Sequence, residues 1–263
     1  MTDLFAPRVA VASLSGRSDA AWTRAAAPHV GAAFLGGIAL DRPTRSAARD
    51  LVDRDREEFL PSDPLAFVAA QLDALAGVPV RPAWNVRAAA PDPVREAARV
   101  CAARGAILEI NAHCRQDEMC DVGAGESLLR EPERLCSFVR AAAATGATVS
   151  VKIRAGLDGV DLPSLADRAA DAGADAVHVD AMDSEPVVRE LAATDVVVVA
   201  NNGVRDAATA EEYLRYGADA VSVGRASDDP RVLSRVRRAV DAWFGDGRAP
   251  GPSAAETQGG SNV

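Results

Sequence analysis

The sequence predicts a closed (β/α)₈ barrel, and three observations carry that expectation. Eight short, apolar, β-branched runs alternate with amphipathic helical stretches along the chain. Four of the helical stretches stop at a glycine followed by alanine, and a strand run begins at once: GAILEI, GATVSVKI, GADAVHVD and GADAVSVG. The length, 263 residues, suits one large domain of this kind, for which about 250 is typical.

In chain order the strand runs are RVAVASL (8–14), AAFLGGIAL (32–40), VPVRPAWNV (78–86) and AILEINA (106–112), then TVSVKIRA (148–155), AVHVDAM (176–182), VVVVAN (196–201) and AVSVGRA (220–226). Such near-continuous apolar runs suit strands buried on both faces, as in a parallel sheet covered by helices. Between them lie helical stretches such as PVREAARVCAAR (93–104), PERLCSFVRAAAAT (132–145), LPSLADRAADA (162–172) and DAATAEEYLRY (206–216). Gly105, Gly146, Gly173 and Gly217 follow them, where glycine is the usual helix stop. The charged segment 41–63 is expected to form a loop and irregular helix over the barrel top. The stretch PRVLSRVRRAVDAWF (230–244) closes the barrel. Residues 1–244 thus read as one barrel, and residues 245–263, rich in Gly, Pro, Ser and Ala, as a disordered polar tail.

The formal net charge of −9 argues against a broad nucleic-acid-binding surface and leaves room for a local basic patch. Lys152 is the only lysine among 29 basic residues, which suggests a role arginine cannot fill. The four cysteines, Cys101, Cys114, Cys120 and Cys136, form no CxxC pair. No leader peptide is read at the start and no apolar run approaches the roughly 20 residues of a membrane span, so reduced thiols in a cytoplasmic protein with no membrane contact are expected.

In such barrels chemistry sits where strands end and the following loops begin. Asn202-Gly203 follows the seventh strand and Gly224-Arg225 the eighth, a pattern suited to gripping a phosphate with backbone N–H groups and a guanidinium. Lys152 ends the fifth strand and points into the mouth, where a cation can neutralise the ring of a reduced flavin. Cys114, flanked by His113 and Arg115 after the fourth strand, is placed as a proton donor or nucleophile.

These segments in this order resemble the tRNA-dihydrouridine synthase family. INAHCRQDEM followed by VGAGESLL is similar to the family's Asn, Cys and Gly-Ala-Gly pattern. VSVKIRAG resembles its Val-Lys-Ile-Arg segment, and VVVVANNGVRDAATAEEYLRYGADAVSVGRA its Asn-Gly, Gly-Ala-Asp and Gly-Arg segments. VASLSGRSDAAWTR is a weaker echo of the family's opening. The resemblance covers roughly residues 8 to 226. It implies an FMN-dependent oxidoreductase, with NADPH or NADH as electron donor, that reduces the C5=C6 bond of uridine in tRNA. By this resemblance Cys114 is the general acid. Lys152 contacts the flavin ring; Asn202, Gly203, Gly224 and Arg225 hold its phosphate; Asn85 lies near a ring-contacting position. Asn111, His113, Arg115 and Arg154 line the substrate side.

The sequence departs from the family at four places. Asp180 stands where the family has a histidine, and His178, one pleat repeat deeper, reads as a satisfied core residue. Arg115 replaces a proline after the cysteine, and His113 a glycine before it. After the barrel the family carries a helical tRNA-gripping domain, where this sequence has a polar tail. Two alternatives therefore stay open: a flavin oxidoreductase of the dihydroorotate dehydrogenase type acting on a small-molecule pyrimidine, and a phosphate-binding barrel without redox chemistry.

Overall fold

The computed structural model describes residues 4–245. Eight parallel strands close in sequential order. They are β1 (Val9–Val11), β2 (Ala32–Ala39), β3 (Arg81–Arg87), β4 (Ile107–Asn111), β5 (Thr148–Arg154), β6 (Ala176–Asp180), β7 (Val197–Asn201) and β8 (Ala220–Val223), and β1 pairs with β8. The helices around them are α1 (Ala20–Ala26), α2 (Arg42–Val52), α3 (Pro64–Asp73), α4 (Pro91–Ala102), α5 (Asp117–Asp121), α6 (Pro132–Ala143), α7 (Leu162–Asp171), α8 (Val187–Leu191), α9 (Ala207–Arg215) and α10 (Pro230–Gly245). All eight expected strand runs contain a strand, with ends that differ from the expected ones by at most three residues; β3 runs one residue further, to Arg87. None of the described helices is long and apolar enough to cross a membrane.

The period of two sorts each strand. On β5 and β6, Val149, Val151, Ile153, Val177 and Val179 face the helices in the main core. The alternate positions face the barrel axis and are layered. At the bottom, Phe5, Ala32, Phe34, Ile107 and Val199 form an apolar plug. Above it lies a buried polar layer that includes Asn85, Glu109, Ser150, Lys152, His178 and Ser222. A closed barrel has no open edge strand, and the polar groups buried in this layer must be met by hydrogen bonds.

One expectation holds only in part. Segment 41–63 begins with a regular three-turn helix, α2, capped by the Asp41 carboxylate, which accepts the Thr44 N–H at 3.1 Å. Thr44, Ala47, Ala48 and Leu51 form its buried stripe at helical spacing. The arginines on its other face gave the segment its loop-like composition. Only residues 53–63 are irregular. The predicted tail lies outside the described residues, except that Gly245 is the last residue of α10.

Candidate active site

The C-terminal strand ends open into two adjoining cavities. One, of about 560 Å³, lies over β6 to β8 and is lined by Asp180, Asn201, Asn202, Gly203, Gly224 and Arg225, among others. The other, of about 710 Å³, lies over the β1 and β4 ends and takes in Asn111, Cys114, Gln116, Arg17, Arg56 and Glu58. Ser13, Leu14, His113, Arg115, Lys152 and Arg225 line both, so the two spaces meet along them.

The first cavity is glycine-floored. A Cβ on Gly203 would meet nothing within 4 Å, and one on Gly224 would meet only the Asn201 side chain at 3.9 Å. Bare backbone therefore faces the space at both loop starts. Asn202 is held at φ 95°, a conformation few side-chain-bearing residues adopt. Two contacts keep it there: its amide donates to Asp180 Oδ1 at 2.7 Å, and the Tyr213 hydroxyl donates to its carbonyl at 2.9 Å.

Asp180 also takes His113 Nε2 on Oδ2 at 2.6 Å. Burial alone would raise this carboxyl, but the bonds from His113 and Asn202 outweigh it and hold Asp180 well below the usual carboxylate range. Asp180 is thus an ionised anchor joining the ends of β4, β6 and β7.

The second cavity is organised by Asn111. Its Oδ1 accepts the backbone N–H of Cys114 at 2.9 Å and of His113 at 3.1 Å, a turn that sets the start of the cysteine loop. Gly125 clamps the other side. It has φ 63°, and a Cβ there would lie 2.2 Å from the Cys114 carbonyl oxygen, which accepts the Glu126 N–H at 2.9 Å. Gly125, the second glycine of the Gly-Ala-Gly segment, is therefore a steric requirement of the cysteine loop. Cys114 remains half-buried and free. Beneath it Arg87, 1% exposed, forms an ion pair with Glu58, 3% exposed, and donates to the Gly37 carbonyl.

The remaining sites fall as follows. Lys152 is buried at the junction of the cavities, with Nζ 3.4 Å from Ser13 Oγ. Asn85 stands in neither wall: it is fully buried below them, its amide spent on Glu109 at 2.7 Å and its oxygen on Asn111 at 2.9 Å. Arg154 is absent from both linings and pairs with Glu126 at 2.7 Å. His178 is fully buried with both ring nitrogens bonded, to Glu109 and Ser222 at 2.7 Å each. Sequence reasoning gave no role to Glu58, Arg87 or Glu109. Arg87 and Glu109 were detectable as charges at axis-facing positions of apolar strands. Glu58 is 29 residues from its partner and carried no signal of its own.

The dihydrouridine synthase family model matches residues 85–246. An uncharacterized protein of Methanocaldococcus jannaschii is 27% identical, over 83% of this chain and 88% of its own. A probable tRNA-dihydrouridine synthase of Rhodobacter capsulatus is 32% identical over 76% of this chain, and a tRNA-dihydrouridine synthase B of Xanthomonas axonopodis is 32% identical over 61%. The chain spans 65% and 53% of those two synthases. Among solved structures, a dihydroorotate dehydrogenase of Eimeria tenella superposes with a TM-score of 0.68 at 15% identity, covering 91% of this chain and 82% of that one, a likeness of fold.

Proposed function

The chain belongs to the dihydrouridine synthase family, and on that premise we propose that it is a cytoplasmic, FMN-dependent oxidoreductase that reduces the C5=C6 bond of uridine in tRNA. One observation carries the reading: Lys152 stands in the wall of both cavities, with a glycine-floored space on one side and the Cys114 loop on the other.

The first cavity fits FMN. Its volume is in the range of small-molecule and cofactor sites, about 300–1,000 Å³. The open backbone at Gly203 and Gly224, with the Arg225 guanidinium, suits a phosphate. Lys152 at the junction suits the ring. FMN bound there would supply a hydride, drawn in turn from NADPH or NADH.

The chain's own residues then do four things. Lys152 presents a positive charge to the ring's electron-rich edge. Asn111 fixes the backbone at Cys114, so that the thiol stands over the second cavity. Cys114 holds the proton that C5 of the pyrimidine must receive when C6 accepts hydride. Arg17, Arg56 and Arg115, in or beside that cavity, suit the phosphates of a nucleotide turned out of its stack.

The test is direct. Purified protein is expected to be yellow and to oxidise NADPH or NADH when supplied with unmodified tRNA. A colourless protein that takes up no added FMN would contradict the reading.

A further inference from the structure

Glu109 is a buried acid that this chemistry does not use. It faces the barrel axis from β4 and is fully buried. Its Oε1 accepts the Asn85 amide at 2.7 Å; its Oε2 accepts His178 Nδ1 at 2.7 Å and, more weakly, Ser150 Oγ at 3.4 Å. The network runs on in both directions. His178 Nε2 meets Ser222 Oγ, which takes the Asn201 amide at 2.8 Å. Asn85 takes the Asn111 amide, and Asn111 holds the Cys114 loop. Glu109 is the one charged centre of this chain of hydrogen bonds.

A buried carboxylate needs a cation. His178 touches the carboxylate at 2.7 Å, but burial pushes its imidazole below the ordinary range and so favours the neutral ring, which serves Glu109 as a hydrogen-bond partner at Nδ1 and meets Ser222 at Nε2. Arg87 is committed to Glu58. Against burial, His178, in direct contact, does most to hold the Glu109 carboxylate below its ordinary range, and Lys152 is the next charge to act on it: it faces the axis one strand over, its Cα paired in register with Asn111, two residues beyond Glu109.

We propose that Glu109 is a positioning residue whose buried charge counterbalances Lys152, and that this pairing sets the reduction potential of the flavin in the cavity above. The inference rests on the flavin reading of the site. Lys152 stabilises the electron-rich reduced ring over the oxidised one. Glu109 offsets part of that preference, and its removal leaves the lysine's charge uncompensated.

The experiment measures the potential of bound FMN against a reference dye in four holoproteins: wild type, Glu109→Gln, Lys152→Met and the double variant. Glutamine is compatible with the network, because a neutral imidazole and a hydroxyl can both reverse their donor and acceptor roles. Glu109→Gln is expected to favour reduced over oxidised FMN by about tenfold, about 30 mV upward for a two-electron couple. Lys152→Met is expected to move the potential down, and the double variant to return towards wild type. A purely structural role for Glu109 predicts no such compensation. Equal potentials in wild type and Glu109→Gln, or a double variant as low as Lys152→Met alone, would overturn the proposal. Should Glu109→Gln lose FMN altogether, recovery of FMN in the double variant supports the charge pairing and continued loss overturns it. A wild-type protein that binds no FMN overturns the flavin reading itself, and this inference with it.

Discussion

At the scale of single residues, Cys114 and His178 make opposite predictions. Cys114 is half-buried and free, so Cys114→Ala should fold and hold FMN as the parent does while losing about 10²–10⁴ in turnover, the range for a placed acid. Single-turnover assays beside an absorbance spectrum separate the two readouts. His178 should matter for stability. Its folded-state pKa is depressed, so the unfolded chain binds the extra proton. Its contribution is therefore complete above the unfolded value of about 6.5 and falls as pH drops below it, by up to about 1.4 kcal/mol per pH unit. Denaturant midpoints from pH 7.5 to 5 should show this slope, and His178→Gln should reduce it, leaving the part contributed by His113, whose imidazole burial also pushes down. Lys152 and Cys114 were legible in the sequence, one as the sole lysine and both at strand ends. Asn85 was assigned to the cofactor by resemblance, from its place near a ring-contacting position of the family, and such a place fixes the face of the strand but not the depth. Its amide is consumed one layer below the cavities.

At the scale of elements, the cysteine loop is held from outside itself. The 3₁₀ turn Gly125–Arg130 packs against it so closely that Gly125→Ala would drive a Cβ into the Cys114 carbonyl and impose a left-handed backbone on alanine. Activity should drop at least tenfold with the fold intact by circular dichroism; unchanged activity would show that the loop has slack. The irregular segment after α2 is fastened by Glu58 to Arg87 on β3. Glu58→Ala strands a buried guanidinium and should cost about 3–5 kcal/mol in equilibrium unfolding. The regularity of helix α2 was hidden in the sequence. Its buried stripe is small residues, Thr44, Ala47 and Ala48, with only Leu51 strongly apolar, so the arginines dominated its composition.

At the scale of the molecule, the barrel was legible because eight separate βα units each carried the same signal. Closure of β1 on β8 follows from their number rather than from any one of them. The long-range hydrogen bonds of the axial layer were not legible, since they join residues up to 139 positions apart. With a net charge of −9, a hold on RNA calls for a local set of arginines, such as those lining the mouth. Binding of tRNA should weaken linearly in log K against log salt, and Arg56→Ala should reduce that slope by about one. A slope unchanged by Arg56→Ala would place the phosphate contacts elsewhere. The central claim is tested most directly by mass spectrometry of total tRNA from cells lacking this gene. The account predicts that dihydrouridine disappears from at least one position and is restored by the intact gene but not by Cys114→Ala. Dihydrouridine unchanged at every position would contradict it.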